Sequence, residues 1–428
     1  MRWAHGRAAD YATLSFGCGL ANFLMMLYLV KFATDRLGLH AGVVGALFGA
    51  SRVWDAISDP LVATYSDRPS GKGRRLRTIR LGAFALAASV VMLWAPPTLG
   101  TTTQAVWFGV AICFYFTAHT LVFVPYDAIG IEGPANEEER NRWFAFRAGA
   151  YGLASLAGVG LLFAASDQAY FGQAVALVGA VGIVVSGLYF TRDESRYPPG
   201  RNGDARAVYV GFREIIRDRV ARLFFAVRFL QRLGSSALTS LAPFITALYL
   251  GNDESLPLIM GVYTAATLLT IFATPRTAAA VGTFRLWKLC IACTSLGLLG
   301  LCLTPRGALG PFMAIVLWTA VTGALLQVTE RSVMAEIALS LEDKHALEAR
   351  FAAVDTFLSK CAFGIAVAIG GAGLSAAGYT NDMAMAGAHE GMMRATIAGI
   401  PMLTFAAAAA LALKVQRRVE PTPTDGPA

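Results

Sequence analysis

The sequence predicts an all-α membrane protein of twelve spanning helices, arranged as two six-helix halves. Three observations carry this. Apolar stretches of spanning length recur from end to end. Only 15% of the 428 residues are charged, against a hydrophobic share of 56% and a mean hydropathy of +0.54. The basic residues gather in alternate connections. A helix needs about 20 mostly apolar residues to cross roughly 30 Å of hydrocarbon. A water-facing surface typically carries about 25% charged residues, so this chain is short of charge for a soluble domain.

The predicted spans of the first half are Tyr11–Ala33, Ala41–Tyr65, Thr78–Pro96, Thr103–Gly130, Trp143–Ala165 and Tyr170–Thr191. Those of the second are Arg219–Leu250, Leu256–Thr274, Phe284–Leu303, Ala308–Glu336, Phe351–Gly378 and Met392–Lys414. Between the halves lies the stretch richest in Pro, Gly and charge, so the organisation reads as bundles at 1–191 and 219–416. A cytoplasmic loop at 192–218 joins them and a cytoplasmic tail at 417–428 follows. Within that loop Phe212, Ile215 and Ile216 alternate with Arg213, Glu214 and Arg217, the pattern of a short interfacial helix. The motif RWFA at Arg142–Ala145 is echoed by RFAA at Arg350–Ala353, each opening the fifth span of its half. Duplicated halves with a site near the midplane are a recurring transporter plan.

Charge sets the orientation. Arg68, Lys72, Arg74, Arg75, Arg77 and Arg80 fill the second connection. Arg192, Arg196, Arg201, Arg206, Arg213 and Arg217 fill the sixth, and Arg276, Arg285 and Lys288 surround the eighth. Connections of the other parity hold little besides Arg36 and Arg306. Positive residues stay on the cytoplasmic side, so both termini are expected there, in an inner or plasma membrane. The net charge of +8 is a topology signal, and no soluble module offers a nucleic-acid surface. The N-terminal MRWAHGRAAD lacks the pattern of a cleaved signal peptide, so the first span is expected to act as an uncleaved insertion signal. Cys290 and Cys293 form a CxxC spacing inside an apolar span without a second pair, which reads as packing rather than metal or redox chemistry.

The informative residues are charges inside spans. An ionisable group at the bilayer centre costs about 2.5–3.5 kcal/mol on insertion scales, and such groups usually face a cavity or a partner. The second span contains SRVWDAISDP, with Arg52, Asp55 and Asp59 at spacings of three, four and seven that share one helix face. Two carboxylates one turn apart offer several hard oxygens, suited to Na⁺ or to a shared proton, with Arg52 balancing one of them. The fourth span supplies HTLVFVPYDAIG. Pro125 interrupts its backbone ladder, Thr120 offers a hydroxyl, and Tyr126 and Asp127 follow; Asp127 could equally meet solvent at a helix end. Arg147 in the fifth span is suited to a bidentate grip on a hydroxyl pair or an anion. Lys360 stands beside small and apolar residues in the eleventh span and is expected to face the carboxylate pair across the cavity. Arg228 and Arg232 are expected to snorkel to the membrane surface. Glu330, Arg331 and Glu336 are expected to form a local structural network, and His119 to be a packing residue.

The runs TDRLGL, SRVWDAISDP and GKGRR, with VPY and FAFR further on, resemble the glycoside–pentoside–hexuronide cation symporters. These are the melibiose-permease group of the major facilitator superfamily. The resemblance implies the major facilitator fold and alternating access. It places Asp55, Asp59 and Thr120 at a cation site, and Arg147 and Lys360 between cation and substrate. Arg52, Asn22, Tyr126 and Asp127 complete the candidate substrate and coupling set. Sugar-carrying members place aspartates where this chain has Cys18-Gly19 and Phe123, and an aromatic where it has Asp127. Those departures argue against a melibiose-like substrate and leave the cation residues in place.

The expected protein is therefore not an enzyme. It is a symporter of a small, sugar-like organic solute coupled to Na⁺ or H⁺, with no cofactor and no metal beyond Na⁺ at Asp55 and Asp59. It is expected to be monomeric, with the bilayer as its other partner. Lysolipid or other amphipathic cargo and proton-coupled export stay open, as does a membrane receptor that moves nothing. Asp55 and Asp59 also form a DxxxD motif resembling the Mg²⁺–diphosphate motif of membrane prenyltransferases, but those enzymes need a second such motif, and none is present.

Overall fold

The computed structural model describes residues 2–66, 74–134, 137–166, 168–193, 213, 215–250, 255–339, 344–379 and 390–415. Every regular element among them is helical. The helices are α1 (Arg2–Leu27), α2 (Leu29–Asp35), α3 (Ala41–Ser66), α4 (Arg74–Trp94), α5 (Thr101–Glu132), α6 (Glu137–Ala165) and α7 (Phe171–Phe190). They continue with α8 (Arg219–Leu250), α9 (Leu256–Val281), α10 (Thr283–Leu303), α11 (Leu309–Leu339) and α12 (Lys344–Ala376). The last span is α13 (Glu390–Arg394), a π-helical turn (Ala395–Gly399) and α14 (Ile400–Ala412). Most of the central loop, the GKG of the second connection and the tail lie outside the described residues, and the interfacial segment is helical at Arg213 and Ile215–Arg217.

Nine single helices among the described residues are long and apolar enough to cross a membrane. The pair α1 and α2, bent by 57° at Tyr28, makes a tenth. The other two expected spans are α3, which carries the intramembrane charges, and α9, whose apolar stretch is the shorter Leu256–Ile271. Helix α5 continues through Pro125 for 32 residues. Between α9 and α10 the chain turns at Gly282, whose φ of +89° lies in the left-handed region that a side chain disfavours. Apolar side chains such as Phe163 (76% exposed), Leu269 (74%) and Leu303 (74%) cover the surface. Such a surface is stable in hydrocarbon, where apolar exposure costs nothing.

The chain forms two compact units. The first comprises Met1–Ala205, Thr239–Gly261 and Phe363–Met393, and thus α1–α7 with the distal parts of α8 and α12. Its centre is an aromatic stack: the rings of Tyr11 and Tyr126 are 4.4 Å apart and Trp143 lies 5.1 Å from Tyr11. Helices α3 and α12 meet through glycines. A Cβ on Gly45 would stand 2.8 Å from the Val367 carbonyl oxygen and 3.0 Å from Gly371 Cα, and one on Gly49 would stand 3.1 Å from the Gly364 carbonyl oxygen. At one end of this contact Lys31, 3% exposed, pairs with Asp35, and Tyr379 donates to Asp35 at 3.3 Å. The second unit comprises Arg206–Leu238, Val262–Ala362 and Arg394–Ala428. Here α10 packs on α11 and α14, Trp287 is fully buried, and Arg394 donates to the Thr304 carbonyl at 2.5 Å.

Gly45→Leu should lower the thermal unfolding temperature in detergent by roughly 2–10 °C, because the added side chain meets backbone rather than a movable side-chain tip. Gly261→Ala should leave it unchanged, since a Cβ there meets nothing within 4 Å. Equal melting temperatures for Gly45→Leu and the parent would show that the α3–α12 contact yields.

Candidate functional site: an acidic pair around one hydroxyl

The spacing of Arg52, Asp55 and Asp59 on α3 sets them on the face that meets α5. Asp55 is fully buried and Thr120, from α5, is 1% exposed. The Thr120 hydroxyl stands 2.9 Å from Asp55 Oδ1 and 2.9 Å from Asp59 Oδ1. A hydroxyl has one proton, so it donates to one carboxylate at a time. Three hard oxygens therefore converge from two helices.

Arg52 closes one side. Its NH1 donates to Asp55 Oδ2 at 3.2 Å, and its NH2 lies 3.0 Å from Met26 Sδ. The guanidinium sits 3.9 Å from the Phe116 ring centre and 4.9 Å from that of Phe363. Its Nε has no hydrogen-bond partner. Aromatic faces attract a cation without competing for its counter-ion, so Arg52 is held in place while it neutralises one acid. Gly364 lets α12 lie against the Arg52 stem, where a Cβ would come within 2.6 Å of Arg52 Cβ.

A second group gathers about two turns further along α5. Arg147, from α6, pairs with Asp127 of α5, donates to the Tyr11 hydroxyl at 3.3 Å and lies 4.7 Å from the Tyr126 ring centre. Tyr126 in turn donates to the Tyr11 carbonyl at 2.7 Å. Asp127 is thus both half-exposed and paired, with 51% of its side chain accessible. Asn22 accepts from Tyr115 at 3.3 Å. The first unit brings together Asp55, Asp59, Thr120 and Arg52 in one cluster and Arg147, Asp127 and Tyr126 in another. Lys360, half-buried, belongs to the second unit. His119 stacks on Phe123 with ring centres 4.2 Å apart, a packing role.

The structure corrects the snorkelling expected of Arg228. That residue is 2% exposed, and its Nε and NH2 grip Asp355 of α12 at 3.0 and 2.7 Å. Its NH1 pairs with Glu330 of α11, which also takes Arg232 NH2 at 3.0 Å. The four groups form an alternating ladder, Asp355–Arg228–Glu330–Arg232, tying three helices of the second unit. Arg331 is exposed and outside it. The apolar Phe224, Phe225 and Val227 just before Arg228 are the one sequence signal of its burial. Lys31 and Asp35 were likewise legible as an i,i+4 pair.

Among solved structures, a bacterial homologue of the human lysosomal transporter Spinster superposes with a TM-score of 0.72 at 14% identity. It covers 96% of this chain and 97% of its own. The nucleoside transporter NupG gives 0.73 at 12%, covering 95% and 99%. At such identities the likeness concerns the fold alone, a multi-pass helical one. Residues 11–415 match the family described as MFS/sugar transport protein, and the chain belongs to that family. It is not an enzyme. Relatives include the isoprimeverose transporter of Lactiplantibacillus pentosus, 24% identical over 64% of this chain and 59% of that one. The Bacillus subtilis symporter YjmB is 28% identical over 32% and 31%. The sodium-dependent lysophosphatidylcholine symporter 1 of Xenopus tropicalis is 26% identical over 31% and 24%. The matched stretches thus span from about a quarter to three-fifths of these relatives' own lengths.

Asp355→Ala should destabilise the protein by roughly 1–3 kcal/mol, because it removes two charge-assisted hydrogen bonds from a guanidinium that is out of water and leaves it Glu330 alone. Arg331→Ala should change stability by less than about 0.5 kcal/mol. Thermal unfolding of the two variants side by side checks both, and equal melting points would mean that the ladder contributes nothing.

Proposed function

We propose that this protein is a cation-coupled secondary transporter of a small, sugar-like organic solute, with Na⁺ or H⁺ bound among Asp55, Asp59 and Thr120. The single observation that supports this most is the Thr120 hydroxyl 2.9 Å from both carboxylates, which gathers hard oxygens from two helices at one point. The isoprimeverose transporter among the relatives supports a sugar-like cargo, and the sodium-dependent symporter supports a cation at the acidic pair. The latter also favours a second reading, an amphipathic lysolipid cargo. Arg147, Asp127, Tyr126 and Asn22 supply the hydroxyl- and anion-binding groups for the solute. Arg52, bonded to Asp55, couples solute to cation.

Transport proceeds by alternating access, the halves 1–191 and 219–416 rocking about the bound solute. No cofactor takes part. The arginine-rich alternate connections support an orientation with both termini in the cytoplasm, in an inner or plasma membrane, and the protein acts as a monomer. Driving force is adequate: one charge crossing 100 mV supplies about 2.3 kcal/mol, enough for roughly fifty-fold accumulation.

Asp55→Cys and Asp59→Cys should each abolish gradient-driven accumulation in proteoliposomes while leaving yield and monodispersity unchanged. Unimpaired uphill uptake by both variants would overturn the assignment. Thr120→Ala should raise the half-saturating cation concentration about tenfold, the loss of one charge-assisted hydrogen bond, read from uptake against Na⁺ and against pH. Comparing isoprimeverose-like disaccharides with lysolipids in the same assay separates the two cargo readings.

A further inference from the structure

A groove of about 740 Å³ opens on the surface of the first unit, between α6 and α7, with α1 as its floor. Ala9, Ala12 and Gly17 make the floor, and the walls include Phe146, Leu153 and Val185. The depth comes from small residues. Gly17 and Gly182 let α1 and α7 approach until a Cβ on Gly182 would stand 3.0 Å from the Gly17 carbonyl oxygen. Leu153 and Val185 are 63% and 61% exposed, so the walls are uncovered.

The groove offers little to water. Of its hydroxyls, Thr13 donates to the Asp10 carbonyl at 2.7 Å and Ser186 to the Ile183 carbonyl at 3.2 Å, both within their own helices. An ordered water needs two to four polar partners, which the floor and walls lack. An apolar occupant is favoured. The stretch Ala9–Gly17 rises about 12 Å along the helix, the scale of a segment of acyl chain.

One end is different. Beside Tyr189, a lining residue, the Arg192 guanidinium lies 3.5 Å from the ring centre. Arg192 NH1 donates to the Tyr189 carbonyl at 2.8 Å, and NH2 meets Asp10 Oδ1 at 3.1 Å. Tyr189 donates to the same Asp10 oxygen at 2.9 Å. A third of the Arg192 side chain is exposed, 33%. Two contacts leave further N–H groups of its five-donor fork for another oxyanion. Arg80 reaches the neighbouring Thr191 carbonyl at 2.5 Å, and Arg7 is exposed one turn before Asp10. Three arginines thus surround this end, offset in part by Asp10 and Asp193.

We propose that this groove is a phospholipid site, in which one acyl chain lies along α1 between α6 and α7 and the lipid phosphate rests on Arg192. The occupant follows from the page: a dry apolar channel of chain-like length, open towards lipid, ending at a basic group with donors to spare. The inference is independent of the cation site and of the transported solute, so the failure of either leaves the other standing.

Native mass spectrometry of the full chain in mild detergent, titrated with phosphatidylglycerol and with phosphatidylcholine, tests it. The wild type should retain one phospholipid above the statistical ladder of loose adducts. Gly149→Leu should remove that adduct by filling the groove, and it should fold, since a Cβ at Gly149 meets nothing within 4 Å. Gly160→Leu, equally open on the same helix but outside the groove, should retain it. Arg192→Ala should weaken retention about tenfold for phospholipids while leaving uptake of detergent monomers unchanged. A wild type without a discrete adduct, or full retention by Gly149→Leu, would overturn the proposal. So would a shift from dimer to monomer on filling the groove, which would assign it to a second copy of the chain.

Discussion

Two carboxylates held against one threonine hydroxyl, in a segment surrounded by hydrocarbon, set the terms for the rest of the first unit. Asp55 has no exposed surface, so its charge must be met from within. Arg52 meets it from one side and Thr120 from the other, and both require α3 to lie close to α5. Arg52 in turn needs somewhere to rest its flat face, which Phe116 and Phe363 provide. The glycines of α12 then allow that helix to approach the Arg52 stem. Each of these features follows from the need to keep a buried charge compensated where water is absent.

The second unit meets a similar requirement differently. Its buried charges alternate along Asp355, Arg228, Glu330 and Arg232, so that each inner group has two opposite neighbours. That ladder is electrically complete without an added ion. The acidic pair on α3 is instead grouped around one threonine hydroxyl, with Arg52 on Asp55. The contrast separates a ladder of alternating charges from two acids gathered around one hydroxyl. It also explains why buried charge by itself is a poor guide to function.

Outside these polar clusters the molecule is built for lipid. Large apolar side chains stand exposed along α4, α7, α9 and α10, and small residues lie where helices touch. In hydrocarbon no solvent force drives the helices together, so close approach through glycine and alanine does that work. The contact between Gly45 and the α12 backbone, and the groove where α1 lies beneath α6 and α7, are two outcomes of the same rule. In the first, small residues let backbones meet; in the second, they leave a channel beside Arg192.

Chain-local features were legible in the sequence. Ten of the twelve expected spans follow from the length of apolar runs among the described residues, because any backbone crossing hydrocarbon must satisfy its own hydrogen bonds within a helix. The shared face of Arg52, Asp55 and Asp59 follows from helical spacing, and the family resemblance implies Thr120 as their partner. Tertiary structure decided which charges face which. Arg228 and Arg147 are both arginines near the ends of apolar runs, yet one is locked between two acids and the other lies half-open beside two tyrosines. Asp127 and Asp355 find partners 20 and 127 residues away, and no local periodicity encodes such distances. The break at Tyr28 has neither proline nor glycine to announce it. Helical period fixes the face a side chain occupies; only the packing of helices fixes what that face meets, because the meeting depends on residues far away in the chain.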